Sequence, residues 1–276
     1  MNTMLENRYQ ILQELGDGGF GKTFIAEDTH IPSRRRSVIK QLKPINESSQ
    51  VYQLVKQRFQ REAAVLEALG NNSQQIPTLY AYFESGGQFY LVQEYIEGDT
   101  LARRLQTQGV EGESTVGNIV VNILQILNYV HSQGIVHRDI KPENIILRRL
   151  DDLPVLIDFG AVKETMQTTV SQGGSTGKSS IVIGTPGFMP AEQTAGRPVF
   201  ASDLYALALT AIYLMTGKIP QDLTTDPYTG ELAWQEFAPG VSPDFAAVIN
   251  KAIQSHPRER YRTAKEMLDA LPSSNL

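Results

Sequence analysis

Eight residues near the start of the chain, GDGGFGKT from Gly16 to Thr23, carry the glycine density that backbone binding of phosphate requires. Without a Cβ, the chain can bring its N–H groups close to phosphate oxygens. Two spacings overlap here. Gly16, Gly18 and Gly21 are set as G-x-G-x-x-G, while Gly16, Gly21, Lys22 and Thr23 also satisfy G-x-x-x-x-G-K-T. The first spacing fits a flap between two strands, the second a loop that opens a helix. A second signal is periodic: from Val51 to Leu69 apolar residues recur at helical spacing, and Glu62 falls in line with Val55, Phe59, Leu66 and Leu69 on the face meant for the core. A carboxylate there is costly unless a cation meets it, and Lys40 in SVIK is the candidate partner. Further on, HRDIKPEN holds Asp139, Lys141 and Asn144, and DFG holds Asp158. An ammonium, carboxylates and a base are the minimum set for moving a phosphoryl group.

These groups need elements to position them. RYQILQEL enters the glycine loop, TFIAED leaves it and SVIKQL follows a Pro- and Arg-containing turn, all with strand character. The helix over Val51–Leu69 has Ser48 or Ser49 as N-cap and Gly70 as its stop, and IPTLYAYFE and QFYLVQEYI flank SGG as a hairpin. After Gly98 the pattern turns helical. The spacing predicts a short helix near Leu101–Leu105, a long one from about Val116 to His131, another over Asp203–Met215 ended by Gly217, and two near the C-terminus. The expectation is an α+β fold, a five-stranded antiparallel sheet with one helix followed by a mainly helical half, joined at EYIEGD. The helix-opening reading of the glycine loop fits this poorly. TFIAED alternates like a strand and Pro32 follows closely, although PVLID ending at Asp158 offers that reading a second motif.

SVIK, HRDIKPEN, DFG, GTPGFMPAE and Asp203 before an apolar helix, taken in order, resemble the signature set of eukaryotic-like (Hanks-type) serine/threonine protein kinases, including their bacterial members. The resemblance runs from Tyr9 to Leu271. It implies the protein kinase fold, with a β-rich N-lobe over residues 9–95 carrying one regulatory helix and a mainly α-helical C-lobe over 96–271. It implies a nucleotide held by the loop from Leu15 through Gly16, Asp17, Gly18, Gly19, Phe20, Gly21 and Lys22 to Thr23, with Val38 above the base and Ile146 below. The backbone of Glu94 and Ile96 would bond the adenine. Lys40, paired with Glu62, would hold the α and β phosphates of ATP. Asp139 would take the acceptor's proton, Lys141 would steady the transferring phosphate, and Asn144 and Asp158 would supply oxygens to Mg2+. Lysine at position 141 and Thr185 match the serine/threonine class rather than the tyrosine class. Protein substrates bearing Ser or Thr follow as partners.

This sequence departs from the family pattern at several places. Thr23 stands where valine is usual, Val38 where alanine is usual, MPAE where A-P-E is usual, and Gln93 occupies the position called the gatekeeper. Glu192 in MPAE would meet Arg260. Every catalytic position is intact, which favours turnover over a pseudokinase that keeps the fold as a nucleotide-binding or scaffold module. Arg138, just before the proposed base, suits an activation-segment phosphate. Thr176 and Ser179, in the Ser/Thr-rich stretch before GTP, are the favoured autophosphorylation sites, and a transient homodimer would serve modification in trans.

Composition narrows the partners. The 276 residues have a formal net charge of −5 and no cysteine. Nucleic acid is not expected as a partner, the Arg34–Arg36 run reads as a solvated loop, and thiol chemistry is excluded. The absence of cysteine suits a reducing cytoplasm. MNTMLENRYQ lacks the character of a secretory signal, and neither IVVNILQILNYV nor LYALALTAIYLM reaches the roughly 20 apolar residues of a membrane span.

Overall fold

The computed structural model describes residues 3–18, 21–42, 49–159, 187–226 and 232–272. Its chain divides into two compact units, with the first boundary between Glu97 and Gly98.

The first unit is one antiparallel sheet and one long helix. Strands β1 (Met4–Leu5), β2 (Tyr9–Gly18), β3 (Gly21–Asp28), β4 (Arg36–Leu42), β5 (Leu79–Ser85) and β6 (Gln88–Glu94) pair in the order β1-β2-β3-β4-β6-β5. The sheet therefore has six strands, where the sequence predicted five. The addition is β1, folded onto β2 with Met4 opposite Gln10 and Leu5 opposite Tyr9. Its turn is of the primed kind, since Glu6 and Asn7 have φ of 52° and 51° and Arg8 N–H donates to Leu5 C=O at 3.1 Å. The β5–β6 hairpin turns on Gly86 and Gly87, both at positive φ.

Alternation sorts the sheet's residues. Tyr9, Ala26, Ile39, Tyr90 and Val92 form a buried cluster, completed by stacking of Phe83 on Tyr90 at 5.2 Å. The residues between them face the other way. Helix α1 (Ser49–Gly70) buries Phe59, Glu62, Leu66 and Leu69 of the stripe read from its period, with Ala63 beside them, and the Val55 side chain lies outside the described residues. Phe59 packs on Tyr82 and Phe89 at 5.4 and 5.8 Å between ring centroids, a burial that contributes roughly 2–3 kcal/mol.

The second unit holds a small sheet and the remaining helices. Strands β7 (Gly98–Thr100), β8 (Ile145–Arg148) and β9 (Pro154–Leu156) pair antiparallel in that order. Helices α2 (Leu101–Gln108), α3 (Glu113–Ser132), α4 (Ala191–Thr194), α5 (Phe200–Thr216), α6 (Pro243–Ala252) and α7 (Ala264–Asp269) follow. Three of these helices show their start or stop signals. Thr100 caps α2 through the Arg103 N–H, Ser242 caps α6 through the Phe245 N–H, and Gly217 ends α5 in the left-handed region at φ 69°. Helix α5 is apolar nearly all round and buried nearly throughout, the signature of a central helix. Helices α3 and α5 begin three residues before their predicted starts, at Glu113 and Phe200. No helix among the described residues is long and apolar enough to cross a membrane.

Candidate active site

The glycine loop belongs to a strand pair. β2 and β3 run together from Tyr9 opposite Asp28 to Gly18 opposite Gly21, so Lys22 and Thr23 lie within a strand. No helix opens at Lys22, which removes the helix-opening alternative. Lys22 Nζ meets Glu14 Oε2 at 3.1 Å, with both side chains 42% exposed. Gly21 has a structural duty besides any ligand, because a Cβ there would collide with the Gln41 carbonyl oxygen. Gly16 meets no such obstacle and Leu15 is exposed. The backbone of Asp17 and Gly18 continues β2, and Gly19 and Phe20 lie outside the described residues.

Register places the other predicted residues of this unit. Thr23 is opposite Lys40, Lys40 opposite Leu91 and Val38 opposite Gln93, so these side chains share one sheet face. Lys40 Nζ approaches Glu62 Oε1 at 3.8 Å, and Glu62 is buried. The periodicity of α1 and the cost of a bare buried carboxylate thus end in the ion pair they demanded. Glu94 closes β6 with its N–H donated to Thr78 C=O at 2.9 Å, and Ile96 is buried just beyond.

In the second unit a loop between α3 and β8 gathers the remaining groups. Asn144 Nδ2 donates to Asp139 Oδ2 at 2.6 Å and to the Asp139 carbonyl at 2.8 Å. Lys141 Nζ lies 3.3 Å from Asp139 Oδ1, with both side chains 11% exposed. The loop is fastened from below. Buried Asp203, in the first turn of α5, accepts the N–H groups of His137 and Arg138 at 2.9 Å each and lies 2.8 Å from His131 Nε2. Arg138 sits at φ 72°, a conformation that side chains with a Cβ resist, and the Gln193 amide donates to its carbonyl. His137 packs its ring 4.3 Å from that of Phe159, and burial pushes its pKa down, against the pull of Asp203 and Asp139. The imidazole is therefore neutral at pH 7.

Asn144 and Asp158 are brought close by the β8–β9 pairing. Ile145 is opposite Leu156, and Ile157 N–H donates to Asn144 C=O at 2.9 Å, so both residues emerge at the same end of the strand pair. Asp158 leaves β9 at φ 64°. Asn144 Nδ2 faces Asp139, and the Asn144 Oδ1 and the Asp158 carboxylate are the oxygens here that could serve a hard cation. Among the described residues no three His, Cys, Asp or Glu side chains form a group that could hold a metal ion. Ile146 lies between Thr100 and Val155 in the small sheet. Thr185, Thr176 and Ser179 lie outside the described residues.

Comparison with known proteins decides the family. The protein kinase domain model matches residues 9–271. The chain belongs to the protein kinase family. This kinase domain is 62% identical over 272 residues to serine/threonine-protein kinase PknA of a Nostoc species, covering 98% of the chain and 48% of the relative. It is 53% identical to serine/threonine-protein kinase C of a Synechocystis species, covering 97% of the chain and 50% of that protein. The chain thus spans about half the length of the curated relatives it matches. Among solved structures, the apo form of PpkA-294 superposes with a TM-score of 0.79 over 99% of the chain and 100% of that structure, at 23% identity. The kinase domain of Mycobacterium tuberculosis PknI gives 0.72 over 98% and 97%, at 24% identity. Those two likenesses concern the fold.

The kinase domain also contains contacts that sequence reasoning missed. His131 supplies the third group on Asp203, Gln193 holds the Arg138 carbonyl, and Ser202 Oγ donates to Glu192 Oε1 at 2.7 Å. His131 and Gln193 reach partners 72 and 55 residues away, and no local pattern announces such a bond. The Glu192–Arg260 pair, by contrast, forms as expected, with Arg260 Nη1 2.7 Å from Glu192 Oε1 and further bonds to the carbonyls of Gln254, Ser255 and Ala201.

Proposed function

We propose that this chain is the catalytic domain of a serine/threonine protein kinase, transferring the γ-phosphoryl group of Mg-ATP to protein hydroxyls. The observation that carries the reading is the largely buried cluster of Asp139, Lys141 and Asn144, with Asp139 bonded by both neighbours and its loop fastened to Asp203. Asp139 receives the proton of the acceptor hydroxyl as its oxygen attacks the γ-phosphorus. The bond from that phosphorus to the β,γ-bridging oxygen breaks, and ADP leaves. Lys141 steadies the moving phosphoryl charge, and Lys40, oriented by Glu62, holds the α and β phosphates. Asn144 and Asp158 would hold Mg2+, which when bound would offset the charge on the phosphate oxygens. The glycine hairpin from Leu15 to Thr23 covers the phosphates with backbone, Val38 and Ile146 contact the base, and the Glu94 and Ile96 backbone bonds its edge. Lys141 and Thr185 favour serine and threonine acceptors, and kinships at 62% and 53% identity with serine/threonine kinases support the same choice.

Autophosphorylation of Thr176 or Ser179, in trans within a transient homodimer, is the proposed activating step, with Arg138 as the receiving cation. A sequence without cysteine fits work in a reducing cytoplasm.

The test compares wild type with Asp139→Asn, using γ-labelled ATP, casein as acceptor and phosphoamino-acid analysis. Transfer to serine and threonine should fall at least about 10²-fold in the variant. Equal transfer by the two proteins, or label on tyrosine alone, would reject the proposal. Mass spectrometry of the same wild-type incubation should find phosphate between Thr165 and Ser180, and a clean segment there would reject the activation step.

A further inference from the structure

The peptide group that leads into Asp139 is held at both ends. Its carbonyl, that of Arg138, accepts a hydrogen bond from the Gln193 side-chain amide, and its N–H, that of Asp139, donates to His137 Nδ1 at 3.3 Å. The neutral His137 ring can accept at that nitrogen. A peptide plane gripped on opposite edges cannot turn. Turning is what would swing the Asp139 side chain, because Arg138 before it sits at φ 72° and is relieved by relaxing. On the far side the Asp139 carbonyl accepts from Asn144 Nδ2 at 2.8 Å.

Gln193 reaches the Arg138 carbonyl from a fixed platform. In α4 its N–H donates to Pro190 C=O at 3.1 Å, its C=O accepts the Gly196 N–H at 2.9 Å, and the neighbouring Glu192 is bonded by Arg260 and Ser202. The same stretch borders the place of the proposed acceptor: Phe188, Met189 and Gln193 line one recess with Asp139 and Lys141. A single amide thus joins the segment on the acceptor's side to the backbone of the proposed base.

We propose that Gln193 is a positioning residue: its amide N–H sets the Arg138–Asp139 peptide so that the Asp139 carboxylate faces the acceptor hydroxyl, and the base therefore depends on the seating of residues 187–193. The inference rests on the kinase reading, and deepens it by naming what keeps the base in line with the acceptor. The place requires a neutral donor. A carboxylate of the same shape would set oxygen against oxygen, and an apolar side chain would leave the carbonyl without this bond.

The test uses Gln193→Glu, which keeps the shape and replaces the donor with an ionised acceptor at about pH 7.5, and Gln193→Met, which keeps the length and removes the donor. Thermal melting verifies that each is folded. With casein as acceptor, kcat should fall about tenfold in Gln193→Met and at least as far in Gln193→Glu, while the KM for ATP stays within about twofold. The same substitutions in an Asp139→Asn background should lower the residual kcat by less than about twofold, because a residue that acts through Asp139 has no base left to position. Equal losses in both backgrounds, or a Gln193→Glu protein within about twofold of wild type, would overturn the proposal. Hydrogen–deuterium exchange over residues 136–141 repeats the comparison without turnover and should run about threefold to tenfold faster in Gln193→Glu than in wild type. Unchanged exchange there would overturn the proposal as well. Absence of phosphoryl transfer from wild type would sink the kinase reading, and exchange would then decide on its own whether Gln193 holds the loop.

Discussion

Asp203→Ala removes the acceptor that fastens the loop carrying Asp139. Three hydrogen bonds are lost at once, from His137 N–H, Arg138 N–H and His131 Nε2, at 2.9, 2.9 and 2.8 Å. Bonds to a charged group contribute about 1.5–3 kcal/mol each, but these three share one carboxylate and cannot simply be added. Leaving buried donors unsatisfied costs about 1–3 kcal/mol each without strict additivity, which puts the expected loss near about 4 kcal/mol. For a unit of this size 1 kcal/mol corresponds to about 2–4 °C, so the melting temperature should fall by about 10 °C. Function should suffer as well. Arg138 is held at φ 72°, and once its N–H loses Asp203 that conformation relaxes and carries Asp139 with it. A displacement of about 1 Å at a reacting group lowers turnover by roughly 10²-fold, with a much smaller change in the KM for ATP. Asp203→Asn keeps one accepting oxygen and should fall between wild type and the alanine variant in stability. Circular-dichroism melts and initial rates at saturating ATP test both claims. An Asp203→Ala protein that melts within about 2 °C of wild type and keeps its kcat within about threefold would show that the loop is held by something else.

Arg260→Met should cost about 3–5 kcal/mol by leaving Glu192 without its guanidinium, measurable from urea midpoints. The deficit should depend on pH. Burial alone would raise the Glu192 carboxyl, but hydrogen bonds from Arg260 and Ser202 outweigh it and hold its pKa below the ordinary value. The ion pair's contribution is thus fully present above the unfolded pKa and is lost as pH falls through the lowered folded value. The difference between wild type and Arg260→Met should therefore narrow between about pH 5 and about pH 3, and a difference that widens there would contradict the assignment. The two lysines separate the two glycine-loop readings. Lys22→Ala removes an exposed pair with Glu14 and should change stability by less than about 1 kcal/mol and kcat/KM by less than about tenfold, whereas Lys40→Met should cost about 10²-fold or more. The reverse ranking would refute the strand-flap assignment.

What could be read in advance depended on how much of each arrangement is local. Helix α1 was legible because its stripe, its stop at Gly70 and its misplaced carboxylate all lie within 22 consecutive residues. Glu62 pointed to a cationic partner because a formal charge on a buried face demands the opposite charge, and the family resemblance of SVIK named Lys40 for it. β1 was hidden for the converse reason: its turn is Glu6-Asn7, without the glycine that normally advertises a primed turn, and its strand is two residues long. β7 was hidden too, since Gly98–Thr100 is too short to alternate, and only the close passage of Leu147 explains why a glycine begins it. His131 shows the same limit in the site. On the buried stripe of α3 a histidine reads as packing, and its bond to Asp203, 72 residues away, exists only because α3 and α5 lie side by side. Charge-to-charge pairs leave two marks in a sequence, one at each end. A carboxylate that binds backbone N–H groups, as Asp203 does, leaves one.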